Sequence, residues 1–287
     1  MGYRLVDTAH LYFNEEAVGR AIKESGVKRE EIFVSTKLWP CDFENENAVE
    51  ESLQRLGLDY IDLLFLHQPA GNYMAGYKLL EKAYKEGKIK AIGISNFEGK
   101  HIEEILANCE YIPQVNQVEC HPYYTQEELR KVTEPKNIKI MSWFPLELAK
   151  KYNKTNAQII LKWHIQMGFL VIPGSKNVDH IRDNFNIFDF VLTKEDMAKI
   201  ETVNKHKKYL RGETLIKYFH IHSHRPPYVN HPTRKKVLLK RTNQRTIGLI
   251  SADRSNKATL LLTISRSKFK SSAKDLSSLI FEVIIQG

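Results

Sequence analysis

Seven times between Arg4 and about Ile187 a short apolar run gives way to an amphipathic segment of helical period, and this alternation limits the possible folds most. The runs RLV (4–6), IFVSTKL (32–38), YIDLLFLH (60–67), AIGISN (91–96), QVNQVEC (114–120), IKIMSWF (138–144) and FLVIPGS (169–175) read as buried strands. Helical segments follow near 14–26, over 48–57, up to Glu86-Gly87-Lys88, and at HIEEILANC, QEELRKV, NAQIILKWHIQ and VDHIRDNF. Strands that are apolar on both faces and joined by helices are parallel, because each crossover lays its helix on the sheet. A regular series of this length closes most naturally into a (β/α)8 barrel, an α/β fold of the TIM type. The rival, an open doubly wound sheet with a dinucleotide turn, needs a G-x-G-x-x-G loop, and the chain has none.

In a barrel, polar residues at the C-terminal ends of strands face the mouth where ligands bind. Those ends carry Asp7, Lys37, His67, Ser95 with Asn96, Gln117, Trp143 and Ser175. Tyr12 follows Asp7 by one short loop, ahead of a helix opening near Asn14, where Glu15 and Glu16 suit the positive end of the helix dipole. Taken alone, Asp7 and Tyr12 could be a helix-capping carboxylate and a packing tyrosine. The repetition of polar strand ends argues for a site. A charged lysine beside a phenol stabilises the phenolate and lowers the tyrosine pKa, and Asp7 can hold Lys37 in place and charged. Such a phenol can protonate a carbonyl oxygen while hydride arrives at carbon, with His67 orienting the carbonyl or relaying the proton. Lys37 could also be a Schiff-base amine, but that role needs a desolvated, depressed lysine, and Asp7 argues against it.

From about Gly2 to Tyr209 the chain resembles the aldo-keto reductases, and most of all their bacterial diketogluconate reductase-like branch. The stretches that carry the resemblance are VDTAHLYFNEE, STKLW, LLFLHQP, GISNF, VNQVECHPY and VIPGSKN followed by NFNIFDF. The resemblance implies a catalytic tetrad of Asp7, Tyr12, Lys37 and His67 with Tyr12 as general acid. It implies that Ser95, Asn96 and Gln117 hold the nicotinamide carboxamide and that Trp143 stacks on the ring. Ser175, Lys176, Asn177, His180 and Asn184 would take the adenosine phosphate end. A helix N-terminus beside Lys176 suits a 2′-phosphate and favours NADPH. Trp39 and Gln68 would line the substrate pocket. The activity implied is NADPH-dependent reduction of small aldehydes, ketones or keto-sugars. A catalytically impaired remnant, or a nicotinamide-binding regulatory module, are the alternatives.

Four departures set further expectations. Met1 lies almost at the family's second strand, so the barrel is expected to lack its first strand and helix. Pro145-Leu146 runs straight into Glu147-Leu148-Ala149, where relatives carry a longer loop over the cofactor pyrophosphate. Gly174, His180 and Gln68 replace a common lysine, arginine and tryptophan. Beyond Tyr209 the resemblance fades.

Composition divides the chain at the same place. Residues 211–287 hold 15 Lys plus Arg against 4 Asp plus Glu, a net of +11, while residues 1–210 hold 28 against 30. The formal charge of +9 therefore belongs to a basic extension, expected to be disordered or loosely folded, beside a barrel over 1–210. The body is not a polyanion-binding surface, and no nucleic-acid partner is expected for it. His220, His222 and His224 share a face if extended, but no acidic or cysteine partner is near them, and no metal is expected. Cys41, Cys109 and Cys120 have no metal or redox spacing, and no apolar run of membrane-spanning length occurs. A cytoplasmic monomer, away from membranes, is the expectation.

Overall fold

A computed structural model describes residues 2–143, 152–175, 177–206 and 208. Its strands are β1 (Leu5–Asp7), β2 (Phe33–Leu38), β3 (Leu63–Leu66), β4 (Ile92–Ser95), β5 (Val115–Glu119), β6 (Lys139–Trp143) and β7 (Leu170–Val171). They form one parallel sheet in chain order, each strand bonded to the next. The helices are α1 (Glu15–Glu24), α2 (Ala48–Leu56), α3 (Tyr73–Lys85), α4 (Lys100–Asn108), α5 (Glu127–Thr133), α6 (Asn156–Gln166), α7 (Val178–Phe185) and α8 (Lys194–Thr202). The architecture is the α/β barrel type.

The two-residue pleat sorts the core into two layers. Leu63 and Phe65 turn inward to meet Ala91, Val115, Met141 and Leu170. Their neighbours Leu64 and Leu66 turn outward into the larger cluster shared with the helices, which includes Ile22, Leu56, Tyr77, Ile105 and Trp163. Gly93 on β4 makes room for the inner layer, since a Cβ there would lie 2.3 Å from the Phe65 ring. Gly19 does the same outside. A Cβ on it would stand 1.8 Å from the Leu56 carbonyl oxygen, so α1 and α2 can cross this closely only over glycine.

Glu15 fastens that crossing to the sheet. Its Oε1 accepts a hydrogen bond from Thr36 Oγ1 on β2 at 2.6 Å, and its Oε2 accepts from Arg55 Nε on α2 at 2.6 Å. At the sheet's ends, the Tyr3 hydroxyl, just before β1, donates to the Ile181 carbonyl of α7 at 2.7 Å. The Tyr3 ring packs edge-on against Phe185, with centroids 4.9 Å apart. Burial pushes the Tyr3 pKa up to about 12, so it stays a donor throughout the neutral range. The sheet therefore curls until its first and last βα units touch.

Two elements differ most from the sequence expectation. The last strand, expected over 169–175, is only Leu170–Val171, because Pro173 has no N–H to extend the ladder. Helix α8 was not expected; its segment KEDMAKIET is mostly charged, and only Asp196 and Ile200 are buried. Thr193 starts it by accepting from Asp196 N at 3.2 Å. The metal-cluster and tail expectations, including His220, His222 and His224, fall outside the described residues. Among the described residues no helix is long and apolar enough to cross a membrane.

Candidate active site

Parallel register brings the strand ends together. Asp7 pairs with Ser35, Lys37 with Phe65, and Ser95 with Gln117. The side chain of Asp7 becomes a hub. Lys37 Nζ donates to Asp7 Oδ2 at 2.5 Å and to the Thr8 carbonyl at 2.8 Å. Ser35 Oγ donates to Asp7 Oδ1 at 2.7 Å, and Gln117 Nε2 approaches the same oxygen at 3.3 Å. Lys37 is wholly buried, and Asp7 nearly so. A buried ion pair of this kind needs further hydrogen bonds to offset its desolvation, and here the Thr8 carbonyl, Ser35 and Gln117 supply them.

Tyr12 lies in a 3-10 turn, His10–Tyr12, directly after β1. Lys37 Nζ stands 5.5 Å from the centre of its ring. His67, at the end of β3, meets Tyr12 edge-on at 5.7 Å and Trp39 edge-on at 4.9 Å. The Tyr12 hydroxyl makes no hydrogen bond among the described residues, and 37% of the residue is exposed. The acid, ammonium, phenol and imidazole therefore converge, although they come from three strands and a loop.

The electrostatics differ in one respect from the sequence expectation. Lys37 does pull the Tyr12 pKa down, but desolvation outweighs it and the Asp7 carboxylate adds to the rise, so the net shift is upward. His67 is driven well below the usual imidazole range, first by burial and then by Lys37. Its Nδ1 is buried without a hydrogen-bond partner. His164 on α6, with Nδ1 2.7 Å from the Ile160 carbonyl and Nε2 2.8 Å from the Ser142 hydroxyl, is lowered by burial to about 4.

These two imidazoles set an acid limit on stability. Both have folded pKa values below their unfolded value of about 6.5, so the unfolded chain binds more protons in that interval. The penalty is absent above pH 6.5 and grows as pH falls, until the folded form also protonates. For His164 it reaches about 3 kcal/mol near pH 4. Urea unfolding between pH 7 and 4 should show this loss, and a flat profile would contradict neutral burial of both rings.

The expected cofactor residues fall into two groups. Near the tetrad, Asn96 takes a left-handed φ of 66° and its Nδ2 donates to the His67 carbonyl at 3.2 Å, which ties β4 to the His67 strand end. Ser95 and Gln117 are buried beside it. Gln68 is buried next to His67, and Trp39 is buried against the His67 ring. At the far end, Ser175 Oγ accepts from Asn177 N at 3.1 Å, and Asn177 Oδ1 accepts from Asp179 N at 2.8 Å to cap α7. His180 is exposed and Asn184 half-buried on that helix. No described contact joins this second group to the tetrad. Trp143 ends β6, but its side chain, like Lys176, lies outside what the structure describes.

Three contributors were missed in the sequence. Ser35 precedes Lys37 by two residues, so the strand period puts both on one face; that signal was available. His10 Nδ1 lies 2.7 Å from Asp42 Oδ2, and the same oxygen accepts from Trp39 N at 2.8 Å. This clasp links the loop bearing Tyr12 to the loop bearing Trp39, and local pattern gave no sign of it.

The profile of the Aldo/keto reductase family matches residues 1–147 and 146–205. The chain is 47% identical over 223 residues to a glyoxal reductase of Bacillus subtilis, covering 72% of this chain and 81% of that protein. It is 44% identical over 226 residues to a 9,11-endoperoxide prostaglandin H2 reductase of Trypanosoma cruzi, covering 72% and 80%. The crystal structure of MGS-M4, an aldo-keto reductase from a deep-sea metagenome library, superposes with a TM-score of 0.70 at 42% identity, covering 73% of this chain and 85% of that one.

Proposed function

The chain belongs to the aldo-keto reductase family, in its diketogluconate reductase-like branch, and from that premise we propose that it reduces small aldehydes, ketones or keto-sugars with NADPH. Small dicarbonyls of the kind named for the Bacillus subtilis relative are the first substrates to try. The observation that supports the reading is the meeting of Tyr12, Lys37, Asp7 and His67 at the strand ends.

The donor set fits a nicotinamide nucleotide. A carboxamide needs both donors and acceptors, and the hydroxyl of Ser95 and the amides of Asn96 and Gln117 offer both from adjacent strand ends. Trp143 ends the next strand, and the family resemblance gives it the role of stacking on the ring. At the other end the α7 N-terminus presents backbone N–H groups, with Ser175, Asn177 and His180 around it and Asn184 further along. Asp179 would oppose a phosphate there, but Arg182 pairs with it at 2.8 Å. Lys176 adds a positive charge in the sequence beside that terminus, which favours the 2′-phosphate of NADPH.

When bound, the reduced nicotinamide supplies hydride to the carbonyl carbon. Tyr12 protonates the carbonyl oxygen as negative charge develops on it. Its raised pKa keeps it a phenol at neutral pH, the form a proton donor must have. Lys37 stabilises the phenolate left behind, and Asp7 keeps that ammonium in place. His67 is neutral, and its partnerless Nδ1 favours the tautomer with the proton on Nε2, since a lone pair is cheaper to bury than an N–H. It therefore orients the carbonyl by donation and does not relay a proton. Trp39 and Gln68 form the wall beside it.

Mixing the full chain with NADPH and glyoxal, methylglyoxal or a keto-sugar, and following cofactor absorbance, tests the proposal. Consumption that is faster with NADPH than with NADH is expected. No consumption with any carbonyl ends the reading, and tight NADPH binding without turnover would favour a regulatory role instead.

A further inference from the structure

We propose that Ser35 is a positioning residue for proton transfer, setting the acidity of Tyr12 through Asp7; this rests on the carbonyl-reductase reading above. Among the described residues Asp7 is the carboxylate whose charge reaches Tyr12, and it raises the tyrosine pKa while Lys37 lowers it. The balance between these two opposed charges depends on how much of the Asp7 charge is met by other donors. Oδ2 is occupied by Lys37 at 2.5 Å. Oδ1 has one short donor, the Ser35 hydroxyl at 2.7 Å, with Gln117 Nε2 more distant at 3.3 Å.

Geometry makes Ser35 specific to this task. Asp7 and Ser35 are register partners on β1 and β2, so the hydroxyl meets the carboxylate across a single ladder step. Ser35 and Lys37 are two residues apart on β2 and share its inward face. One strand thus delivers two donors, one to each oxygen of the same carboxylate, and fixes its plane. Ser35 is wholly buried, so water does not replace its hydroxyl cheaply. Its other contact, to the Val6 carbonyl at 3.4 Å, is long and leaves the proton to Asp7.

Removing the hydroxyl leaves the Asp7 charge less compensated and its plane less fixed. The field at Tyr12 becomes more negative, and its pKa rises. In the direction of reduction, the alkaline limb of the kcat–pH profile should move up by about half a unit in Ser35→Ala. kcat below that limb should fall roughly tenfold from misplacement of the Asp7–Lys37 pair. KM for the carbonyl should stay within about twofold, because Ser35 is not placed to touch substrate.

The experiment measures kcat and KM against pH for wild type, Ser35→Ala, Ser35→Thr and Ser35→Cys, with a thermal melt of each. Thr keeps a hydroxyl and should restore the limb and most of kcat, while Cys, a weaker donor of similar size, should fall between. An unmoved limb in Ser35→Ala overturns the proposal, even if kcat falls in step with melting temperature, since Ser35 would then be purely structural. Failure of both Thr and Cys to restore activity in variants that melt like wild type overturns it too. A wild type that turns over carbonyls no faster than Tyr12→Phe removes the underlying reading instead.

Discussion

Tyr12→Phe lowers kcat/KM for NADPH-driven aldehyde reduction by about 10²–10⁴-fold, the usual worth of a positioned general acid. The change removes one oxygen and leaves the ring that packs on His67. Because the hydroxyl has no hydrogen bond among the described residues, its loss should cost little stability, within about 0.5 kcal/mol. Activity and stability therefore separate in this variant, and steady-state kinetics beside a thermal melt would show it. The raised phenol pKa adds a second readout. Reduction by wild type should hold its rate up to about pH 10, since the proton donor is not lost before the unshifted tyrosine value. Equal rates for the two proteins would remove Tyr12 from the reaction.

Lys37→Met should do what Tyr12→Phe does not, and unfold the protein more easily by about 3–5 kcal/mol. The ammonium is wholly buried, and Asp7 shows only 2% of its side chain to solvent, so the variant strands a carboxylate that water cannot reach. The Thr8 carbonyl loses its donor as well. The double variant Asp7→Asn with Lys37→Met removes the stranded charge, and should recover most of the lost stability while remaining inactive. Urea midpoints of the two variants decide the point: if the single variant is as stable as wild type, the pair is not buried as described. The comparison also explains why loss of activity in Lys37→Met alone says little about mechanism.

The fold was legible where short-range chemistry decides it. Helices α6 and α7 lie where the apolar period put them. Thr155 and Gln158 form a reciprocal cap at the start of α6, and Gly57 ends α2 in the left-handed region. The polar strand ends were legible too, because the pleat and the parallel crossover fix which residue faces the mouth. The electrostatic balance at Tyr12 was not legible. A sequence shows that a lysine and a tyrosine are neighbours, but not how much water surrounds them, and desolvation proved the larger effect. The His10–Asp42 clasp spans 32 residues and the Ser35–Asp7 bond 28, and such partners become visible only when register is known. Helix α8 escaped because one buried isoleucine among charged neighbours gives almost no periodic signal.

Helix α7 contains no buried residue, and the Tyr3 phenol ties it to the segment just before the first strand. An element so lightly held opens more often than the strands beneath it. In the proposed enzyme the hydride end of the nucleotide would rest on rigid strand ends and the phosphate end on this lightly held helix. Dwell time of the nucleotide would then follow the lifting of one short helix, and a change at Tyr3, far from any reacting atom, would speed its escape.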